Sequence, residues 1–393
     1  MHAQYLRRLL SIIAGVLLAI AAANLLIDPF DVYRLAGSAR YWRFKEAIGS
    51  RLAKAEQLRS RRWDVVLLGN SRVEVGLDPQ HPGWGGARVY NSGLPGAIFD
   101  EIDRAARLTF HDHAPRRFVL CLDLSDFDSR RTAPDDDLLT RLNPSLNPVE
   151  YRLASLLSMN AAEKSAGTLK NLLNNRPATD WRMGQMDDPL TTRGRADWEL
   201  VNFYDFAGAE GATAGLTISQ SRMRKLADLL DDASRNGVQV DLVELPTHVI
   251  FFQRLVLAGK WDLYVRWIAD LTDIADRHNR RFPDNPVKFF DFCSYSRYTT
   301  EPFPQLGQTI TDMRWYWDPG HFKNALGDLV IDRLTGHAAP PGEEVSDFGV
   351  ILDSRNVGQF LAKLLSDRRQ YLDSHPEIRQ MIEKAQDFSA RAG

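Results

Sequence analysis

Three short segments of this chain hold the residue types that acyl transfer needs. In Leu68-Gly69-Asn70-Ser71-Arg72 a serine follows closely on a glycine, which lets the backbone turn sharply and approach a substrate. A hydroxyl held there, where a strand ends and a helix begins, can attack a carbonyl carbon while its own N–H faces the developing oxyanion. The plainer role for Ser71 is a helix N-cap. Asn91-Ser92-Gly93-Leu94-Pro95-Gly96 is a second turn, and the Gly93 N–H supplies another oxyanion donor if it points into the same crevice; glycines in a turn otherwise serve only the backbone. The third segment is Trp315-Tyr316-Trp317-Asp318-Pro319-Gly320-His321-Phe322. Asp318, three residues before His321, can accept the Nδ1 proton, fix the tautomer and leave Nε2 to take a proton from a serine. Taken alone, an Asp-Pro-Gly-His turn is more often structural.

Other polar residues fall near the same places. Arg72, beside Ser71, can bind an anionic or sugar-carboxylate group or pair with a nearby acid. His248, Asp123 and Asp126 follow apolar runs and can line a crevice at their ends. His111-Asp112-His113 has no third ligand placed near it, and Asp135-Asp136-Asp137 reads as a solvated charge run, so neither a metal nor a cofactor is expected.

For these segments to meet, the fold must carry them to one edge of a sheet. Short apolar runs alternate with amphipathic helices along the chain, the pattern of an α/β domain with parallel strands. Strands are predicted over Trp63–Leu68, Arg88–Asn91, Phe118–Leu124, Val238–Leu245 and Val287–Phe292, with helices over 97–110, 218–235, 263–280 and 323–334. The expected architecture is a three-layer α/β/α sandwich around a five-stranded parallel sheet in flavodoxin-like order, 2-1-3-4-5. That order separates Cys121 from Cys293 by about 9–10 Å, too far for a disulfide, which predicts two free buried thiols. Residues 125–216 exceed what a crossover needs and are expected as a helical insertion, either a lid or a decoration of the sheet. The predicted divisions are an anchor over 1–27, a juxtamembrane linker over 28–61, the α/β domain over 62–335 and a charged helical extension over 336–393.

Composition bounds the function. The chain has 393 residues, 44% hydrophobic and 25% charged, with 49 basic against 51 acidic side chains. This balance excludes a disordered or collagen-like chain and a multi-span membrane protein, and argues against nucleic acid as a partner. One stretch departs from the average. Leu9 to Ile27 holds no charged residue and as a helix reaches about 28 Å, near the thickness of a bilayer's hydrocarbon core. The apolar run continues through Leu25, Leu26 and Ile27 beyond the small residues Ala21-Ala22-Ala23, which favours a retained signal anchor over a cleaved signal peptide. Arg7 and Arg8 precede it, but Arg34, Arg40, Arg43 and Lys45 follow it, so the positive-inside count does not orient it. A short leading tail and the acidic Asp28 and Asp31 place residues 28–393 outside the cytoplasm.

Taken together, Gly69-Asn70-Ser71, Gly93 and Asp318-x-x-His321 resemble, in type and order, the blocks of the SGNH, or GDSL-like, hydrolase superfamily, over roughly residues 62–335. The resemblance implies a nucleophile at Ser71, a general base at His321, an orienting carboxylate at Asp318, and oxyanion donors from the Ser71 and Gly93 backbones. Asn70 stands where the family usually has aspartate. The third block, normally Gly-x-Asn-Asp, reads Leu122-Asp123-Leu124-Ser125-Asp126, so Ser125 or another group replaces the missing asparagine, or the oxyanion hole is backbone alone. With its N-terminal anchor, the chain is most similar to membrane-anchored SGNH proteins of bacterial envelopes, relatives of teichoic-acid D-alanylation and polysaccharide O-acetylation proteins. That similarity implies a single-pass protein of the bacterial inner membrane, its domain facing the periplasm or cell exterior. It would act on acyl esters, foremost acetyl, of a cell-surface polysaccharide or polymer, beside a membrane-bound O-acyltransferase. The alternative is a non-catalytic member that binds glycan or organises such a complex.

Overall fold

The apolar run Val65-Val66-Leu67-Leu68-Gly69 forms the first strand, and every residue of it is buried, as a strand covered on both faces requires. The structure, a computed structural model, describes residues 2–35, 38–47, 49–110, 113–132, 148–178, 181–182, 185–186, 213, 215–302, 313–380 and 382–383. His111, Asp112 and Asp135-Asp136-Asp137 lie outside the described residues. Strands β1 (Val65–Gly69), β2 (Val89–Gly93), β3 (Arg117–Leu122), β6 (Gln239–Glu244) and β7 (Lys288–Asp291) are parallel, and β8 (Val350–Leu352) joins β7 antiparallel, giving the order β2-β1-β3-β6-β7-β8. A separate ladder pairs β4 (Trp181–Arg182) with β5 (Gln185–Met186). The expected all-parallel sheet of five strands is therefore corrected to a mixed sheet of six. Val350-Ile351-Leu352 is too short to stand out as a strand within the extension over 336–393, and only pairing with β7 makes it one.

Register sets the working edge of the sheet. Gly69 lies opposite Gly93, Leu122 opposite Glu244, and Glu244 opposite Asp291, so the carboxyl ends of five strands line up. The connection from β1 to β2, through α3 (Ser71–Gly76), runs one way across the sheet. Those through α4 (Phe99–Leu108), α7 (Gln220–Arg235) and α9 (Trp261–Arg281) run the other way. Right-handed crossovers then place α3 on one face and α4, α7 and α9 on the other. Helix α10 (Asn324–Thr335) packs on α3 and so joins the first face.

Helix α1 (His2–Ile27) is long and apolar enough to cross a membrane, and its surface is open except over the last two turns. Those turns meet α5 (Pro148–Leu157) and α6 (Met159–Leu173), the described helices of the insertion. The expected linker over 28–61 is instead part of the fold. Phe30, Val32, Ala47, Leu52 and Ala53 form a small core with Ala161, and Lys45 is buried against Asp31 at 2.7 Å. Within α2 (Arg51–Ser60), Lys54 Nζ donates to Glu74 Oε1 of α3 at 2.7 Å and to the Gly93 carbonyl. Composition hides this packing because the segment is charged, and its charges are buried in pairs. Both thiols, Cys121 and Cys293, are buried and free.

Removing one partner of a buried pair strands the other. Lys54→Met should lower stability by about 3–5 kcal/mol in denaturant unfolding of the full chain in detergent, and adding Glu74→Leu should restore much of it. A Lys54→Met protein as stable as the parent would mean that α2 does not hold α3.

Candidate active site

The end of β1 is built around two backbone constraints. A Cβ on Gly69 would lie 2.6 Å from Val73 Cγ2 and 3.0 Å from the Cys121 carbonyl oxygen, so only glycine fits there. Asn70 then caps α3, its Oδ1 accepting from the Arg72 N–H at 3.0 Å while its Nδ2 donates to Asp126 Oδ1 at 3.1 Å. Asparagine suits this position because it can donate to a carboxylate, which aspartate cannot when ionised. Ser71 is left at the first position of α3, half-buried, with its N–H beyond the reach of intrahelical bonding.

His321 arrives from a strap that precedes α10. The Trp317 N–H donates to the His321 carbonyl at 2.8 Å, and the Lys323 N–H donates to the Trp315 carbonyl at 2.7 Å. The strap brings His321 Nε2 to 2.9 Å from Ser71 Oγ across 250 residues of sequence. On the other side of the ring, Nδ1 lies 2.8 Å from Asp318 Oδ2 and 3.0 Å from Oδ1. A carboxylate there only accepts, so the proton sits on Nδ1 and Nε2 is free to accept from the serine hydroxyl. Burial pushes the Asp318 carboxyl up, but hydrogen bonds from His321 and Gly320 outweigh it and hold the group below its ordinary value. The three residues whose spacing suggests a triad are thus in contact.

They open on a cavity of about 450 Å³. Leu124, Leu216, Phe252 and Leu255 supply apolar wall, the last two from α8 (Ile250–Leu257). Gly96 and Ser125 also line it, and Arg131 donates to the carbonyls of both.

Three expected roles change. The Gly93 N–H is taken by Asn91 Oδ1 at 3.0 Å, and Gly93 is glycine because a Cβ would lie 2.3 Å from the Glu74 nitrogen. Gly96 lines the cavity instead, and its N–H makes no hydrogen bond among the described residues. Arg72 lines the cavity but pairs with a nearby acid: its guanidinium donates to Asp123 Oδ2 at 2.9 Å, to the Pro246 carbonyl at 2.8 Å, and to Leu245 and Thr247, while its Nε–H has no partner among the described residues. Asp123 lines the cavity as expected, and there it accepts from Arg72 and from the Ser125 N–H; burial pushes its carboxyl up, and Arg72 pulls it below the usual range. His248 is fully buried and does not reach the cavity. Its Nε2 donates to the Glu301 carbonyl at 2.7 Å, its N–H donates to the Pro319 carbonyl, and its ring meets Tyr316 edge-on at 5.4 Å. Burial pulls this imidazole down to about 4, so it is a neutral prop for the strap.

Sequence reasoning misses two carboxyls. Glu244 and Asp291 face each other at the ends of β6 and β7, where burial pushes both up, and Tyr264 donates to Glu244 at 3.2 Å. Their only sequence signal is an acid closing an apolar strand.

Substituting Arg72 separates the two roles considered for it. Arg72→Met should cost about 3–5 kcal/mol of stability by stranding Asp123 and should lower kcat. Unchanged stability with only a raised KM would return Arg72 to substrate binding. No protein-family model, curated protein or solved structure matches this chain significantly, so the functional reading rests on this geometry.

Proposed function

We propose that the protein is an SGNH-type serine esterase or acyltransferase, held by α1 in the inner membrane of a bacterium, with its cavity on the periplasmic or outer side. Its substrate is an acyl ester, foremost acetyl, of a cell-surface polysaccharide or polymer, and a membrane-bound O-acyltransferase is the expected partner. The observation that carries this reading is the 2.9 Å contact between Ser71 Oγ and His321 Nε2, with Asp318 on the opposite ring nitrogen. A non-catalytic glycan binder of this fold has no need of that contact.

The positions support acyl transfer through a serine. His321 Nε2 takes the Ser71 proton as Oγ attacks the ester carbonyl, and the oxyanion meets the Ser71 and Gly96 N–H groups. Donors of this kind are each worth about 10²–10³ in rate. As the tetrahedral intermediate collapses, the C–O bond to the leaving alcohol breaks and His321 returns the proton to that oxygen. Water or a sugar hydroxyl then attacks the acyl-serine, with His321 again as base, giving hydrolysis or transfer. Asp318 stays ionised and steadies the imidazolium in both halves.

Hydrolysis of p-nitrophenyl acetate and release of acetate from an acetylated polysaccharide test the proposal. Ser71→Ala should lower kcat/KM at least ~10³-fold while leaving thermal stability close to the parent's. Activity that survives the substitution would contradict it.

A further inference from the structure

Helices α5 and α6 present apolar side chains to the outside although they lie beside the anchor. On α5, Val149, Leu153 and Leu157 are 64%, 57% and 52% exposed, and their spacing of four aligns them in one stripe. At the corner, Met159 is 83% exposed, and on α6 Leu169 and Leu173 are also open. Large side chains arrayed this way are unfavourable in water and mark a contact surface.

Their position identifies what they contact. Asn24, in the last turns of α1, is buried, its Nδ2 donating to the Leu156 carbonyl at 2.7 Å and its Oδ1 accepting from Ser165 at 2.7 Å. Asn24 precedes the end of the apolar run at Ile27 by about 4.5 Å along the helix. The corner between α5 and α6 is thereby held at the level where a spanning α1 leaves the hydrocarbon. Arg152 and Lys170 flank the apolar stripes and are long enough to reach the headgroups. We infer that α5 and α6 form an interfacial hairpin whose apolar side chains enter the outer part of the same lipid leaflet that α1 crosses. This rests on α1 lying in a bilayer, as proposed above, and not on the ester chemistry.

The test uses the full chain in vesicles of phosphatidylethanolamine and phosphatidylglycerol. Cysteine is introduced singly at Leu153, Leu157, Leu17 or the exposed Arg355 and labelled with an environment-sensitive fluorophore; the native thiols are buried. Labels at Leu153 and Leu157 should shift to the blue and lose intensity to quenchers carried on shallow lipid positions, while the label at Arg355 should respond only to aqueous iodide. Iodide quenching at Leu153 and Leu157 equal to that at Arg355, with Leu17 still quenched by lipid, would overturn the hairpin alone. A label at Leu17 that meets no lipid would overturn the anchor and the hairpin together. Shielding of Leu153 and Leu157 from both quenchers would mean that protein, rather than lipid, covers them, and would also overturn the proposal.

Discussion

The Arg72 guanidinium is buried where three elements end, and each of its contacts fixes something that Ser71 needs. It joins the first turn of α3 to Asp123 beyond β3 and to the carbonyls of Leu245 and Pro246 beyond β6. A cation removed from water needs this many acceptors to be tolerated. Once they are in place, α3 cannot slide along the sheet without breaking them. The serine next to Arg72 therefore holds its position, and the strap carrying His321 only has to meet it. That strap has its own support in His248 and Glu301, whose carboxylate accepts from the Arg314 and Trp315 N–H groups.

Much of this is legible in the sequence, for physical reasons. Buried parallel strands announce themselves as apolar runs, and Asp-x-x-His carries its geometry within one turn, so β1, β3, β6 and the residues of the triad can all be named. Sequence reasoning fails where a group's partner lies far off in the chain. Arg72 and His248 have the right types and positions for substrate contacts, but hydrogen bonds within the fold hold most of the Arg72 guanidinium and both ring nitrogens of His248. Gly93 misleads because its lack of a side chain answers to Glu74 on α3, a contact no local pattern records. β8 and the packing of residues 28–61 escape because three residues are too few for a period and buried ion pairs look like surface charge.

The buried charges also connect the two halves of the molecule. Lys45 with Asp31 ties the residues after α1 together, and Lys54 with Glu74 ties α2 to the helix that begins at Ser71. The cavity is consequently linked to α1 by packed structure. For an enzyme working on esters near a membrane surface, this would hold the nucleophile at a set height above the lipid.

The most direct test of the central claim is to map where a fluorophosphonate reacts. Peptide mass spectrometry of the treated full chain should find one phosphonylated residue, Ser71, and the adduct should be lost when His321 is replaced by alanine although Ser71 remains. A chain left unmodified, or modified at another serine to the same extent with and without His321, would contradict the account.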